Sequence, residues 1–446
     1  MPVQDYSGYT VCVVDNGLFA DLASGLTRWF GRVLLCVPTG STPWPTSAQV
    51  SVGQGLHTIG SSSARNTLVG HGMARVEKVD DVLLLLDEID LFVFPGLYFA
   101  PLQAHLRQMG KRVFGSAFGE DVELDRVLFK ELLQEARLPV PKYEVIRGVD
   151  NLRRRLALAS GVVKVSRTRG DFETFVSTVA AQSDIDIDGL AHGLGPLKND
   201  KQFLVEDLLP VGDMLEIGYD GFMVDGDWTG GLLGLEMKDK AYVGHVIADK
   251  SAFPPQLAQA NDAVAGALKT MGYRNAFSSE VLVERPVMGT PGRGYFIDPC
   301  CRFGSPPGAI MMRLAVNLPD ILWFGSAGLA IEPVFAQKWV AQLQVTRVAA
   351  RTDWTVLNVP GNVRNKVFVH WPIQVGEQLY AMPFGYENPI VCSTVGEGAT
   401  LDAAVEDACA VAETISGHGL QVPTGAVQDG AAALERLGEY GIRLPA

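Results

Sequence analysis

The sequence lacks the features that mark several protein classes. It has 37 Lys and Arg against 50 Asp and Glu, a net charge of −13, which argues against the basic surface that sequence-independent nucleic-acid binding requires. The first ten residues contain no basic segment leading into an apolar run, so we predict no signal peptide. The most apolar stretch, 82–100, is interrupted by Asp87, Glu88 and Asp90, which indicates two buried elements rather than a membrane span.

Cysteine chemistry is also sparse. The chain has six cysteines and no CxxC pair, a pattern that favours free thiols in a reducing cytoplasm. The adjacent Cys300 and Cys301 invite a redox or metal role, but neighbouring side chains do not converge easily on one ion. No G-x-G-x-x-G motif follows the first predicted strand, which argues against a dinucleotide-binding domain.

The composition is that of a globular protein, 47% hydrophobic and 20% charged over 446 residues, enough for two to four domains. Residues 9–38 predict strand, helix, strand. The alternation continues with strands predicted at 82–86, 90–96 and 112–116 and a helix at 102–109. This indicates a parallel α/β domain over 1–118. Loops 15–17 and 94–96 end strands, where open α/β sheets bind ligands, so they are candidate substrate contacts. The alternative is that their residues only form turns.

Beyond residue 118 the pattern changes. Apolar residues at helical spacing predict one helix over 121–135, and a polar connection is predicted over 184–200. Antiparallel strands joined by Gly and Asp turns are predicted from 202 to 236, followed by a helix at 255–271.

Between the first helix and the polar connection, a predicted strand holds Lys164 in its middle. A basic loop follows it, with Arg167, Arg169 and Gly170. A lysine for the inner phosphates and a mobile loop over the outer ones suit a nucleoside triphosphate. The alternative is that Lys164 only protects a strand edge from aggregation.

Two short β-type runs at 277–283 and 295–298 flank a segment rich in Pro and Gly, which predicts a hairpin with a long loop. Each run carries one carboxylate, Glu280 and Asp298, and because paired strands lie about 4.8 Å apart, the two can share a cation. Mg²⁺ is usually held by one or two carboxylates plus substrate phosphates. Arg302 follows, where it can meet those phosphates. The alternative is a surface hairpin with two solvated acids.

Taken in order, these elements resemble the ATP-grasp superfamily, most closely the glycinamide ribonucleotide synthetases, over about residues 10–330, with a weaker similarity to about 415. The family's helix pattern E-x-x-K-x-x-x-K is similar to Glu123, Arg126 and Lys130, with Arg in place of the first Lys. The resemblance implies that Arg126 contacts ATP, with an altered geometry because Arg and Lys are not interchangeable.

Further ATP contacts are implied by the same resemblance. The strand lysine matches Lys164, and the glycine-rich flap matches 166–170. The adenine hinge resembles 204–207, which implies base-binding roles for Val205, Glu206 and Asp207. The ribose-binding acid is Asp213 or Glu216, of which we favour Glu216.

The family's catalytic and metal segments are matched less closely. Glu236-Met237-Lys238 resembles a D-H-K segment, which implies a catalytic role for Lys238. The metal motif E-x-N-x-R-F-G-D-P-E is similar to 298–307, which keeps Asp298 and a catalytic Arg302. Cys300 replaces the asparagine that helps hold a second metal, and a thiol is a poor partner for Mg²⁺. One metal or two, and the family's own substrate, therefore remain open.

The resemblance implies an α/β and α+β multidomain fold with three parts: an N-terminal parallel α/β (pre-ATP-grasp) domain over 1–118, a two-lobed ATP-grasp domain over 119–330, and a small C-terminal α+β or barrel-like domain over 331–446. The first lobe, with the flap, spans 121–200. The second lobe, with the metal site, spans 201–330. In the third part, short strands are predicted at 355–359, 367–372 and 378–382, an alanine-rich helix within 395–412, and a final helix at 431–440.

The implied function is an ATP-dependent carboxylate-amine ligase that forms an amide through an acyl phosphate, with ATP and Mg²⁺ (or Mn²⁺) as cofactors and ADP and phosphate as products. We expect a cytoplasmic monomer or homodimer that acts on a small-molecule acid and amine, with no nucleic acid or membrane as partner. The alternatives are an ATP-grasp carboxylase or kinase, and a nucleotide-binding protein that has lost turnover.

Overall fold

The computed structural model describes residues 4–37, 68–167, 174–178, 180–238, 240–287, 290–383 and 389–445. Within these ranges the protein is an α/β and α+β multidomain structure with one parallel sheet and three antiparallel sheets. None of the helices in these ranges has the length and apolar character needed to span a membrane.

The N-terminal sheet is parallel, with strand order β3-β2-β1-β4-β5. Its strands are β1 (Thr10–Val14), β2 (Arg32–Cys36), β3 (Glu77–Val79), β4 (Leu91–Val93) and β5 (Arg112–Phe114), and its connecting helices are α1 (Leu22–Leu26) and α2 (Ala100–Gln108). Along β1, Val11 and Val13 face one apolar cluster while Cys12 and Val14 face another. A strand buried on both faces is apolar at every position, which is why β1, β2 and β4 could be recognised in the sequence.

The strand predicted at 82–86 is wrong, because Val82–Glu88 forms a 3₁₀ helix. The Asp81 carboxylate accepts a hydrogen bond from the Leu83 N–H at 2.9 Å and caps the helix. Leu84 is 82% exposed, so the run is not a core strand. In a short run of apolar residues the spacing cannot distinguish the period of a strand from that of a helix.

The centre of the parallel sheet is a topological switch point, because β1 has β2 on one side and β4 on the other. Open α/β sheets bind ligands at such a switch point, outside the carboxyl ends of the strands. Asp15 follows β1, and its carboxylate accepts hydrogen bonds from Gly17 N–H at 2.7 Å and Phe19 N–H at 2.8 Å. The Phe303 N–H donates to the Pro95 carbonyl after β4 at 3.1 Å. The switch point therefore adjoins the segment that carries the predicted metal motif.

The helix predicted over 121–135 is two helices, α3 (Asp121–Leu124) and α4 (Arg126–Glu135). Asp125 separates them with extended dihedrals, φ −94° and ψ 97°, and its carboxylate accepts two N–H groups of the first turn of α4. Asp is a favoured N-cap residue because it satisfies donors that have no partner inside the helix. The Arg126 side chain, at the start of α4, is buried.

An antiparallel sheet with order β6-β9-β7-β8 follows. Its strands are β6 (Tyr143–Arg147), β7 (Gly161–Val165), β8 (Thr174–Ser177) and β9 (Gln202–Glu206), and its helices are α5 (Val149–Leu156) and α6 (Ala180–Leu194). The polar connection predicted over 184–200 is wrong, because most of it belongs to α6. Ile187, Leu190 and Leu194 pack into the core of this sheet at helical spacing, and the acidic residues between them hid the pattern.

The largest sheet has the order β14-β13-β10-β11-β12-β15-β20-β17. Its strands are β10 (Met214–Val224), β11 (Asp227–Met237), β12 (Ala241–Ile247), β13 (Arg274–Glu284), β14 (Gly294–Cys300), β15 (Trp339–Thr346), β17 (Val367–Val369) and β20 (Ile390–Gly398). The associated helices are α7 (Pro255–Thr270), α8 (Gly308–Leu314) and α9 (Leu318–Ser326). Hydrogen bonding between β12 and β15 carries the sheet across the predicted boundary at residue 330.

The C-terminal part adds a small antiparallel sheet with order β16-β19-β18. Its strands are β16 (Thr355–Leu357), β18 (Pro372–Val375) and β19 (Gln378–Ala381), and two helices follow, α10 (Leu401–Thr414) and α11 (Thr424–Glu435). Strands lie in all three predicted places, and α10 is the predicted alanine-rich helix. The final helix begins seven residues before the predicted 431 and ends as a 3₁₀ turn at Arg436–Tyr440.

Candidate active site

A cavity of about 500 Å³ lies between the four-stranded sheet and the eight-stranded sheet. One wall is formed by β7, β8 and the segment after β9, and the other by one face of β10, β11, β13 and β14. The turn at 304–307 closes one end. Most of the predicted site residues line this cavity, although they come from segments far apart in the sequence.

The hairpin predicted around Glu280 and Asp298 is β13 paired with β14 in antiparallel register. The two residues are direct cross-strand partners, and both line the cavity. Because direct partners have Cβ atoms about 4.5–5.5 Å apart on one face, their carboxylates lie within reach of one cation.

The donor set at this pair fits Mg²⁺. In the part of the chain that the structure describes, no group of three or more His, Cys, Asp or Glu side chains is arranged to hold a metal ion. Mg²⁺ does not require one, because it keeps several waters and takes other oxygens from phosphate. Two adjacent carboxylates open to a cavity are therefore sufficient.

The carboxylate pair belongs to a longer row across the sheet. Gly218 of β10 pairs with Glu280, Gly234 of β11 pairs with Gly218, and Gly244 of β12 pairs with Gly234. Three adjacent strands thus carry no side chain at the level of the carboxylates. Glycine inside a strand costs roughly 0.5–1 kcal/mol relative to alanine, so three in register indicate that the space is needed.

Tyr242 fills part of this space. A Cβ atom at Gly234 would lie 1.9 Å from the tyrosine hydroxyl oxygen, so the ring extends from β12 over β11. The hydroxyl donates to Asp220 Oδ2 on β10 at 2.7 Å. Ser278, the cross-strand partner of Asp220, also hydrogen-bonds to this carboxylate. Burial raises the pKa of Asp220 to about 6, although Ser278 and Tyr242 lower it.

Sequence reasoning missed the cluster of Asp220, Tyr242 and Ser278. Its members lie on three strands, and only the strand register brings them together. Only two signs of this cluster were visible in the sequence. One was an acid inside a predicted strand, and the other was the glycines in the strands beside it.

Part of the hinge end of the cavity is an apolar slot. It is lined by Leu208, Leu209 and Val211, and Leu209 packs against Met214 at the start of β10. Such a slot with nearby backbone groups suits a flat, mostly apolar base. The cavity lining begins at Glu206 rather than at 204 as the hinge prediction had it.

Glu206 and Lys164 form a buried ion network beside this slot. Glu206 is 4% exposed and lies 2.5 Å from the Lys130 ammonium and 3.7 Å from that of Lys164. The Lys164 ammonium also donates to the Ile297 carbonyl, next to Asp298, at 2.5 Å. Burial lowers the pKa of Lys130 to about 8, and repulsion from Lys164 adds to this, while Glu206 raises it. Lys164 is thus held between the hinge and the carboxylate pair.

Glu216 and Lys238 also lie near the hinge. Glu216 lines the cavity from β10, and Lys238 follows the end of β11. Burial raises the pKa of the Glu216 carboxyl, with a contribution from Asp298, while Lys238 and Lys164 lower it. The alternative ribose acid, Asp213, is not among the residues that line the cavity.

Arg302 lies at the other end of the cavity. Its Nε donates to Glu123 Oε1 at 3.2 Å and its Nη1 to the Phe303 carbonyl at 3.2 Å. The two residues predicted to be catalytic, Arg302 and Lys238, are therefore at opposite ends of the β-sheet wall. Cys300 lines the cavity while Cys301 is buried in the core behind it, so the adjacent thiols do not converge. All six cysteines are free thiols.

Arg126, predicted to contact ATP, does not line the cavity in this conformation. It is 1% exposed, and its Nη1 pairs with Asp298 Oδ1. Its Nε and Nη2 are buried without a hydrogen-bond partner. Arg126 therefore lies behind Asp298 and positions its carboxylate.

Two further predicted ATP contacts also lie away from the cavity. Arg167, with φ +55°, pairs with Asp121 and Asp125 at 2.9 and 3.1 Å. Val205 packs into the core of the four-stranded sheet, where its strand is paired on both sides. Asp207 does line the cavity. The predicted flap residues Arg169 and Gly170 lie outside the described residues.

Comparison with known proteins supports this architecture. No family model matches the sequence, and no curated protein matches it. Among solved structures, phosphoribosylamine–glycine ligase from Thermotoga maritima superposes with a TM-score of 0.63 at 14% identity, covering 93% of this chain and 98% of that one. The biotin carboxylase domain of Hydrogenobacter thermophilus 2-oxoglutarate carboxylase, in complex with MgADP and bicarbonate, also reaches 0.63, at 13% identity, covering 98% of this chain and 99% of that one.

A third similar structure is N5-carboxyaminoimidazole ribonucleotide synthetase from Thermus thermophilus. Its TM-score is 0.53 at 11% identity, covering 91% of this chain and 98% of that one. All three have the ATP-grasp fold, and at these identities the likeness concerns the fold. The chain described here has the ATP-grasp fold over nearly its whole length.

Proposed function

We propose that this protein is an ATP-dependent ligase that joins a small carboxylic acid to an amine through an acyl phosphate, with release of ADP and phosphate. The observation that carries the proposal is the cross-strand pair of Glu280 and Asp298, which faces the same cavity as Lys164 between an apolar hinge and Arg302. This order of groups matches the order of base, phosphates and acceptor in a bound substrate set.

The nucleotide occupies the hinge end in this proposal. Adenine lies against Leu208 and Leu209, and Glu216 accepts from the ribose. Lys164, fixed by the Ile297 carbonyl and Glu206, places a positive charge at the phosphates, where a point charge is effective. The base is bound between residues of the lobe 121–200 and the lobe 201–330.

The carboxylate pair supplies the cation site. When bound to Glu280 and Asp298, Mg²⁺, or Mn²⁺ in its place, neutralises the charge that develops on the transferred phosphoryl group. Arg126 holds Asp298 from behind. Arg302 binds the carboxylate of the acid, because a guanidinium pairs well with planar anions.

The reaction then follows from the placement of the substrates. A carboxylate oxygen of the acid attacks the γ-phosphorus, and the bond to the ADP oxygen breaks. The amine nitrogen then attacks the acyl carbon, phosphate leaves, and the nitrogen loses a proton. No protein nucleophile is needed, and the cavity walls must exclude water because it would hydrolyse the acyl phosphate.

A carboxylase is the second candidate. The fold matches the biotin carboxylase domain as closely as it matches the glycine ligase. In that case bicarbonate takes the place of the acid.

The test is ADP release from purified protein with Mg-ATP, against a panel of amino acids and small carboxylates crossed with amines including phosphoribosylamine. We expect ADP only when one acid and one amine are both present. ADP that requires bicarbonate indicates the carboxylase, and ADP with a single acceptor indicates a kinase. No ADP release with any pair of substrates, while calorimetry shows that ATP still binds, contradicts the ligase proposal.

A further inference from the structure

The wall formed by the eight-stranded sheet can be divided into successive levels along its strands, counted from the hinge. Residues two apart on a strand share a face, so β10 presents Glu216, Gly218 and Asp220 to the cavity in that order, starting from the hinge. Their partners on β13 are Leu282, Glu280 and Ser278. The wall therefore has a hinge level, a metal level at Glu280 and Asp298, and a third level at Asp220, Ser278 and Cys300.

The third level is where the second substrate must arrive. The γ-phosphoryl group has to lie at the metal level, with the rest of the nucleotide toward the hinge. The acyl carbon, and the nitrogen that attacks it, must then lie beyond the metal level. Arg302, which follows β14 past Cys300, offers a cation there for the acid, and Asp220 is the carboxylate that the wall presents at this level.

Asp220 is built as a fixed acceptor. It is 5% exposed and lines the cavity, and it accepts hydrogen bonds from Tyr242 and Ser278. An ionised carboxylate only accepts hydrogen bonds and has sites for about four, so two neighbours leave room for N–H donors. Tyr242 reaches it only because position 234 is glycine.

We propose that Asp220, positioned by Tyr242 and Ser278, binds the amine substrate through its N–H groups. The proposal rests on the proposed ligase function. A carboxylate at this level attracts an amine or ammonium group and repels bicarbonate or a second acid, so the acceptor is an amine that carries N–H groups. With its N–H groups directed at Asp220, the nitrogen lone pair of the neutral amine is free to face the acyl carbon.

The test uses a small probe, because the amine itself is not yet identified. Methylammonium is titrated into the full-length protein with Mg²⁺ and ADP bound, and binding is followed by saturation-transfer NMR. Tetramethylammonium, which has the same charge and no N–H donor, is the matched ligand. We expect saturable binding of methylammonium only.

Variants of the protein test whether Asp220 is the residue that binds methylammonium. A hydrogen bond to a charged group is worth about 1.5–3 kcal/mol, so Asp220→Asn should weaken methylammonium binding about 10- to 100-fold. Glu236→Gln removes the same charge at the hinge level and should change it less than about 3-fold on the same scale. Thermal melting checks that each variant folds, and Asp220→Ser replaces Asp220→Asn if that variant does not.

Three results would overturn the assignment. These are equal binding of tetramethylammonium, equal weakening by Asp220→Asn and Glu236→Gln, and unchanged binding in the Asp220 variant. The ligase proposal is judged separately by the substrate panel. If the panel gives no ADP but methylammonium binding requires Asp220, the amine site is supported and the proposed reaction is wrong. If the panel gives ligase activity and the amine KM is unchanged in Asp220→Asn, only the amine site is wrong.

Discussion

The two ends of the cavity are built differently. The hinge end combines an apolar slot, lined by Leu208, Leu209 and Val211, with charged groups, of which Glu206 and Lys164 are paired with each other within the protein. At the other end the wall presents the polar side chains of Asp220, Ser278 and Arg302. In the proposed function the hinge end binds the nucleotide, while the far end determines which substrates are joined.

The largest effect should come from the metal level, which both ends share. Glu280→Gln and Asp298→Asn each remove a carboxylate from the cation site, and metal stabilisation of phosphoryl transfer is worth several kcal/mol. We expect ADP formation to fall at least about 1,000-fold in either variant, with the fold intact by circular dichroism. Full activity in either one contradicts the assigned metal site.

The next effect separates the two ends. Lys164→Met should weaken ATP binding about 10- to 100-fold, because a hydrogen bond to a charged group is lost. Arg302→Met should leave ATP affinity within about 3-fold on the same scale and instead raise the KM for the acid. Isothermal calorimetry with ATP measures the first quantity and steady-state kinetics the second. An equal loss of ATP affinity in both variants would show that the cavity is not divided in this way.

A third effect, confined to the far end, concerns stability against pH. The pKa of Asp220 is about 6 in the folded protein against 3.8 as the ordinary value, so between these values the folded state binds the proton more tightly than the unfolded state. The free energy of unfolding should therefore fall as pH rises from about 4 to about 6, by up to about 3 kcal/mol. Asp220→Asn removes this contribution.

Thermal melts at pH 5 and pH 7.5, without metal or nucleotide, measure the difference. The wild type should lose more stability than Asp220→Asn on going to pH 7.5. Asp15, whose pKa burial also raises to about 6, is present in both proteins, so its contribution cancels. An identical pH dependence in the two proteins means that Asp220 is not held as a buried carboxylate.

The smallest effect is expected at Cys300, which lies at the third level, next to the metal level. An amide oxygen is a better ligand for Mg²⁺ than a thiol, so Cys300→Asn should lower the Mg²⁺ concentration that half-saturates ATP binding by about 3-fold, or about 0.6 kcal/mol. Cys300→Ser tests whether removal of the thiol alone suffices. An unchanged Mg²⁺ dependence in Cys300→Asn would mean that this side chain does not approach the cation.

Local sequence patterns predicted the elements that carry the nucleotide and metal residues. The β13–β14 hairpin and the Lys164 strand followed from short-range alternation and from turn residues, since both are made by neighbours in sequence. The wrong predictions concern segments in which the spacing of apolar residues was ambiguous or was hidden by polar residues. The apolar run at 82–86 has no readable period, and the buried residues of α6 are separated by aspartates.

Arg126 shows a different limit. Its place in the helix pattern suggested contact with ATP, yet the capping of α4 by Asp125 and the packing behind β14 direct it to Asp298. The packing of the helix against the sheet decides which carboxylate a buried arginine pairs with. The sequence of the helix alone does not show this packing.

The sequence by itself determined the hairpin that pairs Glu280 with Asp298 and the strand that carries Lys164, because each depends on residues close together in the chain. The order of the motifs along the chain indicated the fold class. The tertiary structure alone decided that Asp220, Tyr242 and Ser278 meet at one level of the wall and that Arg302 and Lys238 lie at opposite ends of it. Register between strands that are distant in sequence is set by the packing of the whole sheet, and a shift of one residue would turn a strand's side chains, such as those of Asp220, Tyr242 and Ser278, to the other face.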